Sequence, residues 1–369
     1  MKPLTILFLG SLLLGQIGGM SLFPGVVIYV HDVILAILVV LYVKKVGRSK
    51  LIIPIAAFIA AAILSLLVNL WRFPLPEIGL GSLYLVRWVL YGALYVLVLQ
   101  KYVAPKLWLK GLYAVGVGLG LIGLIQFFMY PDLRNLMYLG WDPHYYRVFS
   151  TLLDPNFLGI ILVFTLLLGF GLSIKCRMWI ILGQLIAFVA LLLTYSRSSF
   201  LALGTAILVW ACIRRNWKLL AVLAACTAII FVFPKIPGDT LKLTRIDSTI
   251  ARVGNWQEST ELIAKAPVFG YGFNTLRYIS PAVGDIVSKS AAGLDSSILF
   301  ILATTGIVGL AAYVFLIISM FRLGNRPLGL VYITSLSALL VHSLFVNSLF
   351  YPWVMMWMWI LTGAVTCDT

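Results

Sequence analysis

Apolar runs broken by short polar stretches set the pattern of this chain from end to end. Twelve runs approach the roughly 20 residues that a helix needs to cross a bilayer core. They lie near 4–23, 26–44, 51–70, 80–100, 108–130, 156–174, 178–194, 199–213, 218–233, 295–321, 328–347 and 350–366. None alternates with the period of two that marks the strands of a membrane barrel. The pattern predicts an all-α polytopic membrane protein with about twelve transmembrane helices. The first run follows Met1 and Lys2 and has the look of a signal peptide. It leads directly into a second apolar run, so it reads as a retained first helix. Two polar stretches are long, 131–155 and 234–294. The second exceeds ordinary connections and reads as a loop subdomain. Asp247 or Ser248 can cap a helix over about 249–265, and Pro267 with Gly270-Tyr271-Gly272 stops it. The expected organisation is helices 1–9 over 1–233, the loop over 234–294 and helices 10–12 over 295–369.

Composition sharpens this picture. The chain has 369 residues, 62% hydrophobic and 11% charged. A soluble domain carries about 25% charged residues, so this one cannot cover a water-exposed surface. The net charge of +15 would suggest nucleic acid in a soluble protein. Here the basic residues are scattered between apolar runs and form no such face. With the N terminus inside, one set of loops holds fifteen Lys and Arg residues against Asp368 alone. This is the positive-inside asymmetry, and it predicts both termini in the cytoplasm. The long polar stretches, 131–155 and 234–294, then lie outside. Cys176, Cys212 and Cys367 fall near the cytoplasmic face and Cys226 within a helix. All four read as packing residues, and no metal-ligand cluster stands out.

The near-neutral outer face carries the candidate chemistry. Arginine binds phosphate well because its planar fork donates two parallel hydrogen bonds and keeps its charge. Arg87 lies inside the fourth run, where it either pairs with Asp32 or lines a wet cavity. Arg147 either pairs with Asp154 or binds a headgroup. Arg197 sits in the tight link Tyr195-Ser196-Arg197-Ser198-Ser199. Arg245 reads as a solvated loop charge or a ligand contact, and Arg252 shares a helical stripe with Trp256. His31 and His342 read as hydrogen-bonded core residues; His144, in a loop, is a candidate general base. Asp295 either caps the tenth span or presents a carboxylate that could take a proton from a sugar hydroxyl. Gly306-Ile307-Val308-Gly309 reads as a helix-packing motif. Neither internal halves nor broken helices are evident, which argues against a transporter.

Four motifs in order carry a resemblance. Arg147-Val148-Phe149-Ser150-Thr151-Leu152-Leu153-Asp154-Pro155-Asn156 resembles the Arg…Asp-Pro-Asn element of the O-antigen ligase and polymerase superfamily. Thr194-Tyr195-Ser196-Arg197-Ser198 resembles its Ser-Arg turn. Ala251-Arg252-Val253-Gly254-Asn255-Trp256 followed by Ala266-Pro267-Val268-Phe269-Gly270-Tyr271-Gly272 resembles its long-loop signature. The likeness covers roughly residues 80–365. It implies a membrane-embedded, metal-independent glycosyltransferase of the bacterial inner membrane, without a cofactor. The donor would be an oligosaccharide on undecaprenyl diphosphate, used at the outer face. By resemblance Arg197 and Arg252 hold the donor diphosphate with support from Arg147. Arg87, Arg245, Trp256, Asn156 and His144 complete the candidate substrate contacts. The ligase pattern places a His and a small polar residue nine residues before Gly-x-x-Gly. Here Asp295-Ser296 takes that place. The change favours a polymerase, which joins two lipid-linked repeat units, over a ligase acting on lipid A–core or another acceptor, with Asp295 as the acceptor's base. A lipid-linked glycan flippase is the alternative from another class. The implied partners are the lipid-linked donor, an acceptor glycolipid and the bilayer, with room for a chain-length regulator and a flippase.

Overall fold

The computed structural model describes residues 1–23, 26–43, 49–172, 177–232, 246–279, 294–324 and 328–367. It is a helical bundle. Its helices are α1 (Lys2–Ser11), α2 (Val30–Tyr42), α3 (Ile52–Val68), α4 (Leu75–Leu99), α5 (Pro105–Met129), α6 (Pro155–Gly171) and α7 (Arg177–Leu193). The rest are α8 (Arg197–Arg214), α9 (Lys218–Val232), α10 (Ile246–Lys265), α11 (Ser297–Phe321), α12 (Gly329–Ser343) and α13 (Pro352–Cys367). Helices α4, α5, α8 and α11 are long and apolar enough to cross a membrane, and several shorter helices are apolar. This is the composition of an all-α membrane protein.

A helix that is apolar on every side belongs in the middle of a bundle. Two such helices are central here. Helix α6 is buried from Leu158 to Gly169, and α13 from Trp353 to Val365. Around them α4, α5, α8, α11 and α12 pack with one face inward. The outward faces keep large apolar side chains, such as Val40, Ile53, Phe128 and Phe170, exposed. In water such a surface would aggregate; against lipid it matches its solvent. The aromatic group Phe58, Phe273, Phe300, Tyr313 and Phe350 ties α3 and α11 to the chain before α13.

Two predicted spans are interrupted by glycines, and a third, 26–44, begins as a strand before its helix. The run at 4–23 forms α1, a 3-10 segment Leu12–Gly18, and then β1 (Gly19–Phe23), which pairs antiparallel with β2 (Val26–Tyr29). Gly15 takes φ 56°, ψ −145° at the kink. A Cβ there would run into the Thr151 carbonyl, and Thr151 Oγ1 donates to the freed Leu13 carbonyl at 2.8 Å. An apolar run cannot by itself distinguish strand from helix. Here Gly15, Gly18 and Gly19 decide it.

The second break is in α11. Gly306 has φ 65°, ψ −164°, so its role is to interrupt the helix rather than to pack it. The neighbouring chain repairs the gap. Tyr271 N donates to Ala303 O and Gly272 N to Thr304 O, both at 2.9 Å, while Ile307 N donates to Pro267 O at 2.9 Å. From α3, Asn69 Nδ2 donates to Gly270 O at 3.0 Å, and Ser65 Oγ lies 2.7 Å from Phe269 O. Backbone freed inside an apolar bundle must be satisfied again. The Pro267–Gly272 segment does this, so it is the missing half of the Gly306 motif as well as the stop of α10. The expectation of unbroken helices therefore fails at both glycines.

Candidate functional site

The polar residues at the ends of α6, α8, α11 and α12 meet in one place. Asp154 is the N-cap of α6; its Oδ1 accepts from Asn156 N at 2.6 Å and Phe157 N at 3.3 Å. This cap presents the Asn156 side chain, whose Oδ1 accepts from Ser196 Oγ at 2.9 Å. Ser196 is the N-cap of α8, and Arg197 is the first residue of that helix. Ser199 Oγ donates to Ser196 Oγ at 2.9 Å. His342 Nε2 lies 3.2 Å from both Ser198 and Ser199 Oγ, and its Nδ1 lies 2.6 Å from Ser348 Oγ. The imidazole is fully buried. The reading of His342 as a hydrogen-bonded core residue holds, and its partners are the serines of the Ser-Arg turn.

Arg147 joins the same knot. Its side chain is buried, and its Nε donates to Thr194 O at 2.8 Å, just ahead of the Ser-Arg turn. Val148 N donates to Leu193 O at 2.9 Å, which fixes the 146–149 segment along the end of α7. Gln126 of α5 locks it from the other side. Its Oε1 accepts from Phe149 N and Ser150 N at 3.0 and 3.2 Å. Beside Arg147, His144 Nδ1 lies 3.5 Å from Arg147 Nη1. His144, Asp142 and Asp154 bring ligand atoms within 4.8 Å of one another. Asp154 carries the electrostatic signature of this crowding. Loss of hydration, then the charge of Asp142, push its carboxyl up to about 6, against the pull of its backbone donors and Arg147. Arg147 and Asp154 are thus neighbours, but Asp154 spends Oδ1 on the helix cap.

Backbone strain gathers around these residues. Among the described residues, seven other than glycine have positive φ, and four of them, Tyr146, Ser150, Leu153 and Tyr195, belong to this site. Tyr146 precedes Arg147, Leu153 precedes Asp154, and Tyr195 precedes Ser196. Such conformations cost on the order of 1–3 kcal/mol each and persist where the surroundings enforce them. Here they aim the following side chain.

Asp295 lies just before α11, next to residues that border the site. Ser296, not Asp295, is the N-cap of α11, which corrects the capping alternative. Asp295 is exposed, and its backbone N donates to Asn255 Oδ1 of α10 at 3.4 Å. The next residues anchor α11 to the loop after His342. Leu349 N donates to Ser297 Oγ at 3.1 Å, and Ser297 Oγ to Val346 O at 3.4 Å. Trp256 stands over the same loop, 6.4 Å from Phe345. The helix expected over 249–265 begins earlier, at Ile246. Arg252 lies on that helix one turn before Trp256, but its side chain lies outside the described residues, as does all of Arg245.

Arg87 does not join this group. It lies at the midpoint of α4, pairs with Asp32 Oδ2 at 3.1 Å and donates to Val27 O. Asp32 also accepts from Tyr29 N at 3.0 Å and from Tyr91. His31 stacks on Tyr29 and meets the edge of Trp353, a packing role. The ion-pair alternative for Arg87 is the one found.

The structure thus brings the Arg147 segment, Asn156 and the Arg197 turn together beside His342, with the start of α11 and the α10 helix against the loop that follows it. These are the segments that the sequence motifs singled out. Residues 182–314 match the model of the O-antigen ligase family. The match supports the O-antigen ligase and polymerase superfamily, whose members are membrane glycosyltransferases. The matched region begins in α7 and ends in α11, so it includes the Ser-Arg turn, α10, Asp295 and the Gly306 break. The Arg147–Asn156 element precedes it and docks on it through Thr194 and Ser196. No curated protein matches the chain. Sequence reasoning missed Gln126, Ser348 and the active place of His342. All three lie far along the chain from the motifs, and no local pattern marks them.

Proposed function

We propose that the chain is a polysaccharide polymerase at the outer face of a bacterial inner membrane, spanning it about twelve times with both termini inside. It transfers a glycan from undecaprenyl diphosphate to a sugar hydroxyl of a second lipid-linked unit, with inversion and without a metal. What supports this reading is that the Arg147 and Asn156 segments bond the turn that bears Arg197, while Ser296 and Ser297, next to Asp295, bond the chain after His342. A departing lipid diphosphate gathers negative charge, and preorganised cations lower the barrier to its departure. Arg197 and Arg252 are assigned to that diphosphate, and Arg147 holds the turn that bears Arg197. Asn156 and Trp256 line the donor's approach, with His144 and Arg245 as further contacts. Asp295 is exposed, at the end of α11, and takes the proton from the attacking hydroxyl.

The deciding experiment supplies purified protein in vesicles with a labelled undecaprenyl-diphosphate glycan. A ladder of lipid-linked polymer supports polymerisation. Transfer only to an added lipid A–core would make the chain a ligase. Movement of label across the vesicle without new glycosidic bonds would make it a flippase, a reading that the broken helices at Gly15 and Gly306 favour more than the sequence did.

A further inference from the structure

Away from the His342 knot, three arginines gather on aromatic rings. Arg277 Cζ lies 5.3 Å from the ring centre of Tyr84, and Arg87 Cζ lies 5.6 Å from the same ring. Arg72 Cζ stands 4.6 Å from the Tyr271 ring and 5.0 Å from that of Trp71. The elements are continuous: Phe73 and Tyr278, each adjacent in sequence to one of these arginines, have ring centres 6.4 Å apart. Arg72 precedes α4, Tyr84 and Arg87 lie on α4, and Arg277 lies in the short turn Leu276–Tyr278.

Charge compensation is incomplete. Among the described residues Arg87 has Asp32 at ion-pair distance, while Arg72 and Arg277 have no carboxylate there. Arg72 Nη1 is shielded from solvent and has no hydrogen-bond partner among those residues. Ring faces attract a guanidinium but leave its in-plane N–H donors unused. The rim is apolar: Trp71, Leu75, Leu83 and Val86 are all exposed. Unused arginine donors beside an exposed apolar rim fit an anion attached to a hydrocarbon chain.

We propose that Arg72, Arg87 and Arg277 form a second anion site, which holds the diphosphate of the second lipid-linked unit. This rests on the reading that the chain joins two such units. Helix α10 connects the two places: Asn255 meets Asp295, and the chain then runs through the Gly270–Gly272 segment to Arg277. The donor occupies the His342 knot and the acceptor's headgroup occupies the Tyr84 shelf, with Asp295 at the α10 contact.

Binding stoichiometry tests this. Purified full-length protein in detergent is titrated with farnesyl diphosphate, a short isoprenoid diphosphate. Two sites are expected. The Arg72→Gln/Arg277→Gln double variant should keep one, and Arg197→Gln should keep the other. Arg277→Gln alone, at a partly buried position, should weaken one site by roughly tenfold or more. One site in the wild-type protein, or two undisturbed sites in the double variant, overturns the proposal. Equal occupancy of the shelf by inorganic pyrophosphate would overturn its lipid-borne part. If two sites are found but lipid-linked glycan yields no polymer, the polymerase reading fails while the second site stands.

Discussion

The His342 knot and the Tyr84 shelf hold their arginines in different ways. In the knot, Arg147 donates to a backbone carbonyl, and neighbouring hydroxyl, amide and imidazole groups bond one another in a chain from Asn156 to Ser348. In the shelf, Arg72 and Arg277 rest on ring faces and Arg87 on one buried carboxylate. The first arrangement fixes position, because several directional bonds and strained backbone residues converge on each group. The second tolerates displacement, because a ring face attracts a cation over a broad area. Chemistry at a departing diphosphate needs the first, and retention of a mobile lipid-linked chain is served by the second.

This contrast orders the expected effects. The largest is at the knot: Arg197→Gln should lower the rate of glycosyl transfer by on the order of 10²–10³-fold, as does loss of one preorganised donor elsewhere. An unchanged turnover would remove Arg197 from the reaction. Next, His342→Ala leaves the serine hydroxyls without their buried partner, at a cost of about 1–3 kcal/mol. It should lower both the melting temperature and turnover, and His342→Asn should recover part of each. A shift in neither would mean that the knot does not position the turn.

Asp154 provides a pH test within the knot. Its folded carboxyl titrates near 6 and thus above the ordinary value of 3.8. The folded state therefore binds more protons than the unfolded one between these values, and stability falls as pH rises through that window. Wild-type thermal stability should show this loss between about pH 4 and 6, and Asp154→Asn, which keeps a capping oxygen, should lack that component. Equal pH profiles would contradict the assignment. At the shelf, Arg277→Gln should raise the KM for acceptor by roughly tenfold and leave kcat nearly unchanged. The smallest effect is expected at Arg134, whose exposed pair with Asp132 at 2.7 Å lies in the same loop as Arg147. Arg134→Ala should leave the melting temperature and turnover essentially unchanged, because solvent screens an exposed pair.

Much of this was legible in the sequence, and what was not has physical reasons. Long apolar runs located most helices to within a few residues, because hydrophobic length is the dominant signal in a bilayer protein. The motifs at Arg147–Asn156 and Thr194–Ser198 pointed to segments that do meet. Hydropathy could not reveal the break at Gly306, since the residues on both sides are apolar; the repair comes from Pro267–Gly272, more than thirty residues earlier. The hairpin after α1 was hidden for the same reason. His342 looked like an isolated core residue because its partners, Ser198 and Ser199, are 144 and 143 residues away. Arg72, Tyr84 and Arg277 share no motif at all, and only folding brings them together.

The most direct test is the rate of glycosidic bond formation by Asp295→Asn in vesicles carrying a labelled undecaprenyl-diphosphate glycan, measured beside the wild-type protein near neutral pH. The variant removes the proposed base but preserves size and the backbone contact to Asn255. A polymer ladder in the wild type, its loss in the variant and undiminished binding of farnesyl diphosphate by both are the predicted results. A wild-type ladder from Asp295→Asn would contradict the account.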